Sequence, residues 1–169
     1  MVQVLVRGRL VVLSGERIVK PLERLYRLLI RAANSLQSLF LLAVRLYWGW
    51  QFIEDGWGKL HNLDKVTDYF TSLGLPAPGM TAGFVGGLEL VGGVLLALGL
   101  GSRLIALLLT GNMLVAYITA DREAFFSIFS DPDKFYAAAP YTYLFASLIV
   151  LIFGPGKFSA DAWLTKKWK

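Results

Sequence analysis

The sequence contains no cysteine and a single histidine, His61. Without cysteine the chain has no disulfide, no thiolate nucleophile and no sulfur ligands for zinc or an iron–sulfur cluster. One histidine cannot supply a cluster of imidazole ligands, and a haem held by two protein histidines would need a second chain. Glycine-rich phosphate loops and nucleophile-elbow motifs are also missing. We therefore expect no metal site and exclude thiol redox chemistry.

Charged residues are scarce as well. They make up 17% of the 169 residues, whereas hydrophobic residues make up 56%, and the mean hydropathy is +0.55. Soluble domains usually contain about 25% charged and about 45–50% apolar residues. So little polar surface does not suit a small soluble particle, and the composition indicates a membrane protein of single-domain length.

Four apolar stretches are long enough to cross about 30 Å of hydrocarbon at about 1.5 Å per helical residue. Backbone polar groups in lipid must be satisfied within their own segment, so each stretch is predicted to be a helix. The predicted fold is an all-α integral membrane protein with a bundle of four transmembrane helices. The spans lie at about residues 36–56, 80–100, 102–120 and 137–154, with a tight hairpin at Gly101.

Lysine and arginine are distributed unevenly between these spans. They are concentrated in the N-terminal arm, beside Gly101 and in the C-terminal tail, whereas the other connections are rich in aspartate and glutamate. The positive-inside rule then predicts cytoplasmic N- and C-termini. The net charge of +5 is interpreted as an asymmetry across the membrane, and no nucleic-acid partner is expected.

The arm of residues 1–35 is predicted to be separate from the transmembrane domain of residues 36–169. Leu22, Leu25 and Leu29 recur on one helical face, and arginines recur on the opposite face. This pattern is typical of an amphipathic helix in the membrane interface that contacts lipid phosphates or an acidic partner. A simple basic flank of the first span is the alternative. Upstream, residues 2–13 suggest a short hairpin or extended arm that docks onto other membrane subunits.

Two ionisable residues lie near the middle of predicted spans: Arg45 in the first and Glu89 in the second. A charge within a span costs at least about 2.5–3.5 kcal/mol, so each needs a partner or a function. We expect Arg45 and Glu89 to pair. The pair is either a bridge that fixes helix register or part of a cavity that binds a polar head group or relays protons. Asn112 in the third span is expected to form an interhelical hydrogen bond or to contribute to binding.

Helical spacing places Arg45 and Lys59 on one face of the first span, as a cationic stripe suited to an anion or a quinone carbonyl. His61 follows at the mouth of that span, where it is either solvated or a ligand contact. The candidate catalytic residues are Glu89 and Arg45. The candidate binding residues are Arg45, Lys59, His61 and Asn112.

An ordered set of short motifs lies between Leu36 and Leu164. The motif residues are Arg45, Gly49, Phe52, Gly56, Lys59 and Leu60; Tyr69, Phe70, Gly74, Leu75 and Pro76; Glu89, Gly92, Gly93, Leu96, Gly99 and Arg103; and Gly154, Pro155, Gly156, Ser159 and Asp161. This set resembles the DoxX family of small bacterial membrane proteins. At position 55, where many relatives have histidine, this chain has aspartate.

The resemblance implies a four-helix bundle in a bacterial inner membrane. For some relatives it also implies a role as the membrane subunit of thiosulfate:quinone oxidoreductase. Two functions are therefore expected. In the first, the protein is a quinone-linked redox subunit that holds a quinone or a small oxyanion in its bundle, with Glu89 moving protons. In the second, it is a non-catalytic accessory subunit of a larger respiratory or photosynthetic complex.

Overall fold

The computed structural model describes the backbone of residues 2–6, 9–13 and 16–167, and the side chains of residues 22–167. The chain divides into two compact units, Met1–Gln37 and Ser38–Lys169. The elements are β1 (Val2–Val6), β2 (Arg9–Leu13), α1 (Glu16–His61), α2 (Leu63–Ser72), α3 (Pro78–Leu98), α4 (Ser102–Ala120), α5 (Arg122–Phe126), α6 (Pro132–Ala137), α7 (Ala139–Phe153) and α8 (Ala160–Lys167).

The N-terminal unit contains a hairpin and the first part of α1. Strands β1 and β2 pair antiparallel, with Val4 opposite Val11. Of the two expectations for this segment, the structure has the hairpin. The amphipathic pattern that follows leaves Leu22, Leu25 and Leu29 exposed. On the polar side, Arg27 lies 3.1 Å from Glu23 in an exposed ion pair between neighbouring helical turns.

Helix α1 differs from the sequence-based expectation. It is one helix of 46 residues, Glu16–His61, whereas the pattern predicted a separate amphipathic helix before a span beginning near residue 36. Residues 31–40 contain neither proline nor glycine. Because nothing in this stretch interrupts the backbone hydrogen bonds, the helix continues through it.

Three helical segments in the described part of the chain are long and apolar enough to cross a membrane: Leu22–His61, Pro78–Leu98 and Ser102–Ala120. The fourth predicted span corresponds to α7, which has only 15 residues and is about 22 Å long. It starts later than the sequence predicted because Ala138 is extended and separates α6 from α7.

Small residues bring α1 and α3 into close contact. A Cβ atom added to Gly49 would lie 2.9 Å from the Gly93 carbonyl oxygen, and one added to Gly56 would lie 2.3 Å from the Leu90 nitrogen. Glycine permits this approach because it has no side chain. The contacts set an antiparallel register in which Gly49 faces Gly93 and Gly56 faces the segment from Gly86 to Leu90.

The core of the C-terminal unit forms where α1, α3, α4 and α7 meet, and Phe52, Leu96, Leu109 and Val150 are fully buried there. Helices α3 and α4 are joined by the predicted tight turn, in which Gly99 and Gly101 have φ of +69° and +58°. Glycine suits this left-handed backbone. The "α2 end" of the unit below is where α1 ends and α3 begins, and the "α8 end" is where α3 ends and α4 begins.

Candidate functional site

A cluster of buried polar side chains lies toward the α2 end. Glu89 on α3 is almost fully buried. Its Oε2 atom accepts a hydrogen bond from Nζ of Lys59 on α1, and its Oε1 atom accepts one from Nδ2 of Asn112 on α4 at 3.0 Å. Both carboxylate oxygens therefore have partners, and one side chain connects three helices. Such pairing is what keeps a buried charge tolerable.

The glycine contacts explain how Lys59 reaches Glu89. Gly86 lies one helical turn before Glu89, and a Cβ atom added to it would be 3.3 Å from Cβ of Lys59. Gly56 lies one turn before Lys59 and packs against the backbone of α3. Because both helices are close there, the lysine can place its ammonium group on the carboxylate while 28% of its side chain stays exposed.

This cluster forms one wall of a cavity of about 300 Å³. Lys59, Glu89 and Asn112 supply polar atoms, and two further carboxylates, Asp55 and Asp121, also line the cavity. Most of the remaining lining is apolar. An apolar enclosure with a few polar groups is the usual form of a small-molecule site. The apolar wall includes Phe70, Leu73, Val85, Met113, Ala116 and Pro140.

The predicted pair between Arg45 and Glu89 is wrong. Arg45 is fully buried, but its Nη2 atom donates to the carbonyl oxygen of Phe158 at the α8 end. The register between α1 and α3 is the reason. Gly49 faces Gly93, so Arg45, one turn earlier on α1, lies near the end of α3, whereas Glu89 lies at the middle of that helix. The predicted cationic stripe is thereby divided between the two ends.

Arg45 packs tightly against the turn between α3 and α4. A Cβ atom on Gly99 would lie 1.8 Å from Nη1 of Arg45, so the turn leaves room only for glycine. Among the residues that the structure describes, Nε and Nη1 of Arg45 have no hydrogen-bond partner. Arg45 is not among the residues that line the cavity beside Glu89.

Asp161 stabilises the turn between α3 and α4 at the α8 end, a role that the sequence analysis missed. Its carboxylate accepts hydrogen bonds from the backbone N–H groups of Gly101 at 2.8 Å and Ser102 at 2.9 Å, and its own N–H donates to Gly99. Burial raises the pKa of Asp161, but the hydrogen bonds from Ser102 and Gly101 and the positive charge of Arg45 together outweigh it, so the pKa lies below its usual value. The sequence signal for this role was Gly101, which has no side chain to bind the free N–H groups at the start of α4, so that another residue must bind them.

His61 is not part of the cavity wall. It is exposed, its Nδ1 atom lies 3.0 Å from the Trp57 carbonyl oxygen, and its ring centroid is 4.0 Å from that of Trp57. Within the residues described, no group of three or more histidine or acidic side chains is arranged to hold a metal ion. Of the four predicted binding residues, the structure brings Lys59 and Asn112 together and leaves Arg45 and His61 elsewhere.

Comparisons with known proteins place this arrangement in a family. The long apolar helices define a helical membrane protein. The sequence model of the DoxX family matches residues 40–122, and "Inner membrane protein YqjF" of Escherichia coli (strain K12) is 30% identical over 137 residues, which are 80% of this chain and 99% of YqjF. The chain therefore belongs to the DoxX family, as its motifs predicted.

A second relative is the "Putative oxidoreductase CatD" of Bacillus subtilis (strain 168). It is 30% identical over 91 residues, which are 54% of this chain and 66% of CatD. No solved structure matches the chain significantly.

Proposed function

We propose that this protein is the membrane subunit of a quinone-linked oxidoreductase system, of the thiosulfate:quinone type that the DoxX resemblance implies. The observation that carries the proposal is the apolar cavity with a polar wall of Lys59, Glu89 and Asn112. The name of the relative CatD, which calls that protein an oxidoreductase, supports the same class of activity.

The cavity residues fit a quinone. A quinone has an apolar ring and tail and two carbonyl oxygens that accept hydrogen bonds. Lys59 and Asn112 are donors, and the apolar wall formed by α2, α3, α4 and α7 would contact the ring. When bound, a quinone supplies the electron-accepting chemistry that these side chains lack. The electron donor would belong to another subunit.

Each polar residue then has a distinct role in the proposed site. Asn112 orients the carbonyl end of the ligand, and Glu89 holds and moves the proton that accompanies electron transfer. Lys59 is partly exposed and connects the buried carboxylate to water. Positioning and electrostatic stabilisation would supply the catalytic effect.

The same proposal includes the arrangement in the membrane. Helix α7 is the fourth span, with its ends completed by interfacial residues, and the protein forms a four-helix bundle. The α8 end carries Arg103, Lys157 and Lys166, and by the positive-inside rule this basic charge supports cytoplasmic termini. The amphipathic start of α1 contacts lipids. The relative YqjF is named an inner membrane protein of Escherichia coli, which supports a bacterial inner membrane here.

Native mass spectrometry of protein extracted gently from its source membrane tests the quinone site. We expect a stoichiometric quinone mass on the wild type. Ala116→Phe fills the cavity and should remove that mass, whereas Ala43→Phe, at an exposed position of α1, should retain it. Equal quinone occupancy in both variants would contradict the proposed site.

A non-catalytic accessory role is the second candidate, because the N-terminal unit leaves Leu22, Leu25 and Leu29 exposed. Exposed apolar side chains of this kind fit contact with other membrane subunits. In that case the same spectra would contain cofactor-bearing subunits and no ligand on this chain. Removal of residues 1–13 should then release those subunits. If all of them still co-purify with the shortened chain, residues 1–13 do not dock them.

A further inference from the structure

The charges around the cavity oppose the binding of an anion. One cation, Lys59, lines it together with three carboxylates, Glu89, Asp55 and Asp121. The Lys59 ammonium is already bound to Glu89, so its charge is largely compensated. An anionic ligand in this space would also face the carboxylates of Asp55 and Asp121, and like charges at short distance repel.

The cation that could have balanced an anion lies elsewhere. Arg45 is enclosed at the α8 end, where it donates to the Phe158 carbonyl and Nη1 packs against Gly99. The hydrogen-bond donors at the cavity remain available in part. An ammonium group has three donors and a side-chain amide has two, and Lys59 and Asn112 each give one to Glu89. The remaining donors can bind a neutral acceptor oxygen.

We propose that the cavity selects a neutral apolar ligand with a hydrogen-bonding end. We also propose that the cavity excludes small oxyanions, because the negative charge of Glu89 neutralises the positive charge of Lys59. This inference rests on the proposed function, because it specifies the ligand class of the same site. Any oxyanion substrate of the system is then bound outside this cavity.

The test compares two probes that share one ring system and differ in charge: 1,4-naphthoquinone, which is neutral, and 2-naphthalenesulfonate. Binding to the full chain in nanodiscs is measured by isothermal titration, with empty nanodiscs as the background. The wild type should bind the naphthoquinone and not the sulfonate. In Glu89→Gln the Lys59 charge is uncompensated, so affinity for the sulfonate should rise by on the order of tenfold or more.

A matched control is Glu123→Gln, which also removes a carboxylate bound to a lysine, Lys134 at 2.9 Å, but outside the cavity lining. It should bind both probes as the wild type does. Asp55→Asn is the second test variant if Glu89→Gln does not fold. Asp55 is exposed, so the expected gain in sulfonate affinity is smaller but in the same direction.

The outcomes separate the inference from the proposed function. If the wild type binds the sulfonate and the sulfonate displaces the naphthoquinone, the charge selectivity is wrong while the quinone site stands. If the wild type binds neither probe, the quinone site is wrong, and a gain of sulfonate binding in Glu89→Gln still supports the role of Glu89. If the folded variants gain no sulfonate affinity, the inference is overturned.

Discussion

The two ends of the C-terminal unit each bury a charged side chain, but the hydrogen-bond partners of that side chain differ between the ends. At the α2 end, Glu89 is bound by the side chains of Lys59 and Asn112 beside a cavity. At the α8 end, Arg45 and Asp161 are bound to backbone groups of turns and helix termini. Backbone partners hold chain segments together, whereas side-chain partners beside a cavity can rearrange around a ligand. This comparison favours the α2 end as the functional one and the α8 end as structural.

The largest expected effect is on turnover at the α2 end. Glu89→Gln retains the shape of the side chain but cannot release a proton, so quinone-coupled turnover should fall by about a hundredfold or more. Quinone reduction in proteoliposomes, together with the electron-donating partner, measures this change. Glu123→Gln is the control and should retain full turnover. Full activity in Glu89→Gln would remove the proposed proton-transfer role.

The next effect is on the helix contact that positions Lys59. Gly56→Leu would force a side chain into the backbone of α3, where even a Cβ atom would lie 2.3 Å from the Leu90 nitrogen. We expect a loss of roughly 3 kcal/mol or more of unfolding free energy. Gly58→Leu is the matched control, because a Cβ atom there has nothing within 4 Å. Thermal unfolding in detergent should separate the two variants, and similar midpoints would contradict the predicted contact.

A smaller effect is expected at the α8 end. Asp161→Ala removes the carboxylate that binds two N–H groups at the start of α4 and should cost about 1–2 kcal/mol in stability. The folded-state pKa of Asp161 is lowered, so its contribution is complete above the unfolded pKa of about 3.9 and is lost as pH falls through the lower folded-state value. Unfolding curves of both proteins should therefore converge as pH decreases below about 4. A constant difference would contradict this role.

The smallest effect is expected for the exposed ion pair between Glu123 and Lys134. The Lys134 ammonium lowers the pKa of Glu123, and the Glu123 carboxylate raises the pKa of Lys134. Both side chains are solvated, and exposed pairs contribute little to stability. Lys134→Met should leave the thermal midpoint unchanged within error. A clear decrease would mean that the segment around α6 depends on this contact.

Local features of the fold were predictable from sequence. The second and third spans follow from continuous apolar runs, and the turn at Gly101 follows from glycines between them. Leu63, Val66 and Phe70 also recur at helical spacing before Gly74, and α2 covers Leu63–Ser72 with Gly74 at φ +71°. These features depend on neighbouring residues, which periodicity and turn chemistry describe well.

Partners across helices were harder to predict. The sequence placed both Arg45 and Glu89 near the middle of a span, and nothing in either span states how far one helix is shifted along the other. The shift depends on where Gly49 and Gly56 contact α3. A shift of about two helical turns between α1 and α3 would place Arg45, rather than Lys59, beside Glu89.

The sequence by itself determined that the chain is a helical membrane protein and which polar residues lie within its apolar helices, and its motifs identified the DoxX family, because composition, periodicity and motif order are properties of the chain alone. Only the tertiary structure decided that Lys59 and Asn112 bind Glu89 beside a cavity and that Arg45 holds the opposite end. Close contacts between glycines on different helices set that choice, and such contacts exist only after the helices have packed.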